Sequence, residues 1–262
     1  MVSSKFIYVC LLSFLLISCE ELIDIDLNEK EPKVVINAEL TDLSNTQQIR
    51  ISKTVNFNAT TNSTPVNDAQ VKVTDSEGKT YVFSSNNNGV YRSGQFRPKA
   101  GLTYYLEAIV DGQIYTATSY MPTYIGVDSI GLSEDIVFDD TLYSVTMKFN
   151  DPVGVENFYK YNISVNNKPF EFSRVFSDKF NDGLFVTHQL SDRDNSIVKG
   201  DTVNIQRMVI DKNVFKYWNE LQSINPGSAA PANPTSNISN GALGYFNVAS
   251  SKIYGYRITF DD

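Results

Sequence analysis

Histidine, cysteine, serine and paired carboxylates are the residue types best able to do chemistry, and this chain has few of them in useful spacings. His188, within Thr187-His188-Gln189, is the only histidine. A nucleophilic triad could draw on Ser191 and Asp192, but both stand within four residues of His188, whereas working triads are assembled from separate elements. No Gly-x-Ser-x-Gly elbow supplies another nucleophile. Zinc requires several His or Cys ligands, and the only cysteines are Cys10 and Cys19. Asp24-Ile25-Asp26-Leu27-Asn28 and Asp192-Arg193-Asp194-Asn195-Ser196 come nearest to a calcium ladder, but neither has the sixth-position glycine or the closing glutamate. Walker and Gly-x-Gly-x-x-Gly phosphate loops are absent. The expectation is therefore no catalytic residue, no metal and no cofactor. A carboxylate pair for glycoside hydrolysis stays open, because its separation of roughly 5 to 10 Å is set by the fold.

The sharpest chemical signal lies at the N-terminus. One charge, Lys5, precedes twelve mostly apolar residues from Phe6 to Ile17, the order of a secretion signal. As a helix this run covers only about 18 Å against a hydrocarbon core of about 30 Å, so it is not expected to remain as a membrane span. It ends in Leu16-Ile17-Ser18-Cys19, which resembles the lipobox of bacterial lipoproteins. Cleavage between Ser18 and Cys19, with lipid on Cys19, is the expectation, and Cys10 would leave with the signal. A secreted domain then keeps no thiol for disulfides and must be held by its core. Behind Cys19 come Glu20, Glu21, Asp24, Asp26, Glu29 and Glu31, with Lys30 the only base before Pro32. Such a run is a solvated tether. It also resembles the export signal by which Bacteroidota lipoproteins reach the outer leaflet of the outer membrane, which implies a chain facing the cell exterior.

Composition narrows the partners. The chain has 22 basic and 30 acidic residues, and loss of Lys5 takes the net charge from −8 to −9. Phosphate binding needs clustered Lys and Arg, so nucleic acid is excluded as a partner. Anionic lipid is disfavoured for the same reason, which leaves the acyl chains as the membrane contact. With 15 Tyr and 16 Phe against 4 Met and 1 Trp, the aromatics read as strand residues.

The elements that would position any site are mostly strands. Between Lys33 and Tyr120, alternating runs cover 34–40, 48–55, 70–74, 80–84, 90–94, 103–110 and 113–119. Asp111-Gly112 between two alternating arms is a type I′ hairpin signal. Seven short strands at this spacing predict an N-terminal immunoglobulin-like β-sandwich over residues 33–121. Met121-Pro122 closes it. A second antiparallel β domain is predicted over 122–262, with strands at 127–132, 143–149, 159–165, 170–176, 184–190 and 202–210. Val214, Phe215, Tyr217, Trp218, Leu221 and Ile224 then share one helical face, predicting one amphipathic helix near 213–224 behind the capping side chains of Asp211-Lys212-Asn213. Pro226-Gly227 ends it, and two last strands are predicted at 245–249 and 252–260. The fold class is thus mainly β, with residues 1–18 as signal and 19–32 as acidic tether.

The lipobox, Val34-Val35-Ile36, Asp68-Ala69-Gln70-Val71 with Tyr91, Gly101-Leu102-Thr103-Tyr104-Tyr105, the late helix with Tyr217, and Asn233-Pro234-Thr235-Ser236-Asn237-Ile238 leading into Gly241-Ala242-Leu243-Gly244-Tyr245-Phe246 follow in an order that resembles the Bacteroidota lipoprotein family called domain of unknown function 4249. The resemblance covers nearly the whole mature chain, and its last block is the most specific. Asn240 stands where many members carry glycine. The resemblance implies an outer-membrane lipoprotein, often encoded beside a TonB-dependent transporter, with no established catalytic residues. The leading expectation is an accessory or binding component of such a transport system, and not an enzyme. A lipid-anchored hydrolase of glycans or peptides and a structural or adhesive spacer are the alternatives.

The stretch from Pro226 to Phe246 has two readings. It is either a long connection packed back over a sheet, with prolines and glycines serving its turns, or a shaped loop beside the Trp218 helix that touches a partner or ligand. On the second reading the contact residues are Trp218, Asn233, Pro234, Asn237, Gly241, Gly244 and Tyr245.

Overall fold

The computed structural model describes residues 31–55, 60–61, 63–138, 140–192, 194, 196–224 and 233–259. The predicted signal, its cleavage point at Ser18, Cys19, the tether through Lys30 and the stop at Pro226-Gly227 lie outside the described residues. No helix among the described residues is long and apolar enough to cross a membrane, which leaves membrane crossing by strands unaddressed.

The first sandwich is built from Val34–Thr41 (β1), Gln47–Lys53 (β2), the short Thr64–Pro65 (β3), Gln70–Asp75 (β4), Thr80–Ser85 (β5), Val90–Ser93 (β6), Thr103–Val110 (β7) and Gln113–Tyr120 (β8). Alternation explains these strands: Tyr104, Leu106, Ala108 and Val110 of β7 all point into the core, as do Val34, Ile36, Ala38 and Leu40 of β1. Asp111 and Gly112 both have positive φ, 50° and 78°, as the type I′ turn between β7 and β8 demands. The strand order is β1-β2-β6-β5 and then β5-β4-β7-β8, because β5 pairs with β4 through residues 80–83 and with β6 through Ser84 and Ser85. Lettered A to G in chain order with β3 set aside, the sheets are A-B-E-D and C-F-G, the immunoglobulin arrangement.

The second sandwich follows with Ser129–Val137 (β9), Asp140–Asn150 (β10), Phe158–Val165 (β11), Glu171–Ser177 (β12), Phe185–Leu190 (β13) and Thr202–Ile210 (β14), then Lys212–Ser223 (α1) and Leu243–Arg257 (β15). Its sheets run β13-β10-β9 and β12-β11-β14-β15, around a core that includes Val145, Phe149, Tyr161, Ile205 and Val209. α1 starts as predicted: Asp211 Oδ1 accepts the Asn213 and Val214 amides at 2.9 and 3.0 Å. Beneath the helix, Val214 packs with Phe158, Val175, Met208, Ile210 and Ala249.

One prediction is corrected. The two final strands are a single fifteen-residue strand, β15. Residues 243–249 run parallel to β1, and residues 250–257 pair antiparallel with β14. Ser250-Ser251 reads as a break between them, but these small residues carry the strand from one sandwich to the other without leaving the pairing. β8 ends at Tyr120, next to the predicted boundary at Met121-Pro122, and β9 of the second sandwich begins at Ser129. The strand returned later still belongs to both, and Ile238, Ala242, Phe246 and Val248 complete the first core. The described residues from Pro32 onward accordingly form one compact unit.

Candidate functional site

α1 brings two of the predicted contact residues together. Trp218 lies edge-on to Tyr245, ring centroids 5.2 Å apart, and against Phe172 at 4.4 Å. Under this aromatic cover sits an ion pair. β11 is buried on both faces, and its outward Lys160, 2% exposed, reaches Glu39 of β1 at 2.7 Å and Asn162 at 2.9 Å. The Lys160 ammonium is 4.3 Å from the Trp218 ring centroid, in the geometry of a cation–π contact. Tyr245 donates to Glu39 at 3.3 Å. Burial pushes the Lys160 ammonium down from its ordinary value against the opposing pull of Glu39. Trp218 and Tyr245 thus roof a charge pair, its lysine buried and its glutamate partly so, that joins the two sandwiches.

The other predicted contact residues are placed mainly by backbone needs. Asn237 accepts from the Phe246 amide at 2.9 Å and donates to the Phe246 carbonyl at 2.8 Å, clamping its segment to β15. Ile238 bridges Ala117 of β8, and Asn240, with φ of 56°, donates to the Ile114 carbonyl at 2.6 Å. Gly244 has φ of +89°, and an added Cβ would run into the Ile36 carbonyl of β1. Gly241 has φ of +70° but open space around it. Asn233 is exposed and Pro234 half-buried, while the neighbouring Thr235 amide donates to Glu220 of α1 at 2.5 Å. Residues 237–240, in the described part of this stretch, pack over β8 and lead into β15.

A wide cleft lies on the other side of α1, at one end of the second sandwich. It has a volume of about 820 Å³, within the range of small-ligand sites, and is formed by α1 and the loops that follow β10 and β12. Phe158 and Phe215, stacked at 4.8 Å, give it an apolar wall. Lys212 bridges to both oxygens of Glu156 at 2.9 and 3.1 Å across its rim. Asp178, Asp182, Lys216 and Glu220 also line it. Burial first, then the charges of Asp151, Asp182 and Glu156, hold the Asp178 carboxyl above its ordinary range, although the Asn157 amide pulls it down. The same loops expose Val153, Val155, Phe180 and Leu184, and Phe185 at the start of β13 is exposed as well. Sequence reading missed this site because its residues come from three distant segments and carry no shared motif.

His188 serves the core. It is 3% exposed, stacks on Phe176 at 3.9 Å and meets Tyr161 through Nδ1 at 2.8 Å. Ser191 and Asp192 do not approach it: Asp192 accepts from the Ser196 amide and hydroxyl at 2.8 and 2.5 Å, and the Ser191 carbonyl accepts from Ser173. Close by, fully buried Arg207 lies over the Phe149 and Tyr159 rings at 4.3 and 4.6 Å, with its Nε on the Tyr161 hydroxyl. Burial, and then the Arg207 charge, push the His188 ring down to about 3.

The unfolded ring titrates near 6.5, so this stabilisation is complete above about pH 6.5 and declines as pH falls toward 3, by up to about 1.4 kcal/mol per unit. The urea midpoint of the wild type is expected to fall between pH 6.5 and 4.5, and His188→Gln to remove most of that slope. An unchanged slope in the variant would place the proton uptake elsewhere.

Fold and cleft together define a protein of two strand-sharing β-sandwiches, the first of immunoglobulin type. The family model described as domain of unknown function (DUF4249) matches residues 20–254, and the chain belongs to that family. No curated protein matches. Among solved structures, a segment of two fibronectin type-III domains from chicken tenascin is 14% identical, aligned over 69% of this chain and 91% of that one with a TM-score of 0.23.

Proposed function

We propose that this chain is a lipid-anchored, surface-facing outer-membrane protein that serves as an accessory or binding component of a TonB-dependent transport system. The anchor half of the proposal is supported by Leu16-Ile17-Ser18-Cys19 and the acidic residues behind it. The binding half is carried by one observation, the cleft beside α1 with exposed apolar residues on the same loops. Apolar side chains ringed by paired charges are the make-up of a protein interface. His188, buried among aromatic rings and far below the titration range of a general base, supports binding over nucleophilic hydrolysis.

The hydrolase reading draws on the carboxylates Glu156, Asp178, Asp182 and Glu220 around the cleft. The spacer reading draws on the shared strand, which ties the sandwiches together. Gentle detergent extraction followed by affinity purification separates these from the proposal. Wild type is expected to recover a TonB-dependent transporter, and reversal of two cleft charges, Lys212→Glu with Lys216→Glu, to reduce recovery at least tenfold. A wild type that recovers no transporter would count against the proposal.

A further inference from the structure

We infer that Asp151, Asp178 and Asp182 form a calcium site that clasps the loops after β10 and β12. One ligand oxygen from each of the three lies within 4.8 Å of the others. That separation is about twice a calcium–oxygen bond of roughly 2.4 Å, so a single ion can touch all three. Asp151 and Asp178 are each 5% exposed, and no ion pair among the described residues reaches any of the three.

The protein holds each carboxylate by one oxygen. Tyr159 donates to Asp151 Oδ1, the Asn157 amide to Asp178 Oδ2 at 2.6 Å, and the Gly154 amide to Asp182 Oδ1 at 2.7 Å. The second, independent observation is Asp151 Oδ2, which is buried without a hydrogen-bond partner. A buried anionic oxygen left unpaired is costly, and a cation held with Asp178 and Asp182 satisfies it.

The backbone is set for such a role. The Asp151 amide donates to the Leu184 carbonyl at 2.9 Å and the Asp178 amide to the Asn157 carbonyl at 3.1 Å, so the two loops are already joined. Gly183, with φ of +70°, packs against Val153, leaving no room for a side chain. Oxygen-only ligation by carboxylates selects a hard cation. Calcium is favoured over magnesium because the acids sit on loops that can accommodate irregular geometry, whereas magnesium demands a near-ideal octahedron. Asp178 and Asp182 also line the cleft, but the calcium site requires no ligand or partner in the cleft.

The test uses the purified mature chain in detergent, with metal alone as probe. Terbium, excited through Tyr159, is expected to luminesce and to be displaced by millimolar calcium but not by equal magnesium. The melting temperature should rise by about 5 °C in 5 mM calcium relative to chelator, for a dissociation constant of roughly 10⁻⁴ M. Asp151→Asn with Asp182→Asn keeps the oxygens that accept from Tyr159 and Gly154 and should weaken calcium binding at least tenfold. Circular dichroism checks that this variant is folded. No calcium-dependent shift in the wild type, or an equal shift in the double variant, would overturn the site.

Discussion

Gly244→Ala is expected to destabilise the chain by about 3 to 5 kcal/mol, at the upper end of single-substitution effects because backbone strain and a core clash add, and to loosen both sandwiches at once. Gly244 sits where β15 first runs alongside β1, opposite Ile36. Its φ of +89° strains any side chain, and the Ile36 carbonyl occupies the place a Cβ would take. Relief requires β15 to move away from β1. The same strand carries Phe246 and Val248 into the first core and Ser250 onward into pairing with β14, so the disturbance is shared. Gly241→Ala is the matched control. Its φ of +70° carries the strain without the clash, for about 1 to 2 kcal/mol. Urea unfolding combined with hydrogen exchange checks both. Equal costs for the two variants, or exchange confined to the first sandwich, would contradict the shared-strand explanation.

Glu39→Gln is expected to cost about 3 to 5 kcal/mol because it leaves the Lys160 ammonium buried without a counter-charge. The two partners are unequal: Lys160 is 2% exposed and Glu39 22%. Lys160→Met should therefore cost less, since the stranded carboxylate keeps some water and the Tyr245 hydroxyl. In the double variant Glu39→Gln with Lys160→Met the buried charge is gone, and much of the stability is expected to return. Denaturant unfolding of the four proteins at pH 7 gives the coupling directly. Additive costs would mean that the pair contributes nothing as a pair.

Local patterns were legible where one face of a strand is buried and the other wet. β7 and β8 alternate cleanly around Asp111-Gly112, and their register follows from that turn. α1 was legible from its apolar spacing and Asp211. What could not be read depends on distant segments meeting. The parallel pairing of β15 with β1 joins residues about two hundred positions apart, and nothing in Gly244 alone announces its partner. β11 alternates apolar with Lys160, Asn162 and Ser164, which reads as a strand with a solvent face. Glu39, Trp218 and Phe172 cover Lys160 and hide it. The three aspartates under the cleft come from two loops, and their spacing matches no calcium motif because the sandwich, not a contiguous loop, sets their distances. Of the residues singled out in the sequence, Asn237, Gly241 and Gly244 were visible for their backbone chemistry, and the structure gives them backbone work.

The proposed partner-binding role of the cleft is tested most directly inside intact cells. A photo-reactive amino acid at Lys216, which lines the cleft and is 59% exposed, is expected to cross-link to a TonB-dependent transporter. The same probe at Val82, 66% exposed on β5 of the first sandwich, is expected not to. Cross-linking to no transporter from position 216, or equal cross-linking from both positions, would contradict the assignment of the cleft beside α1 as the contact surface.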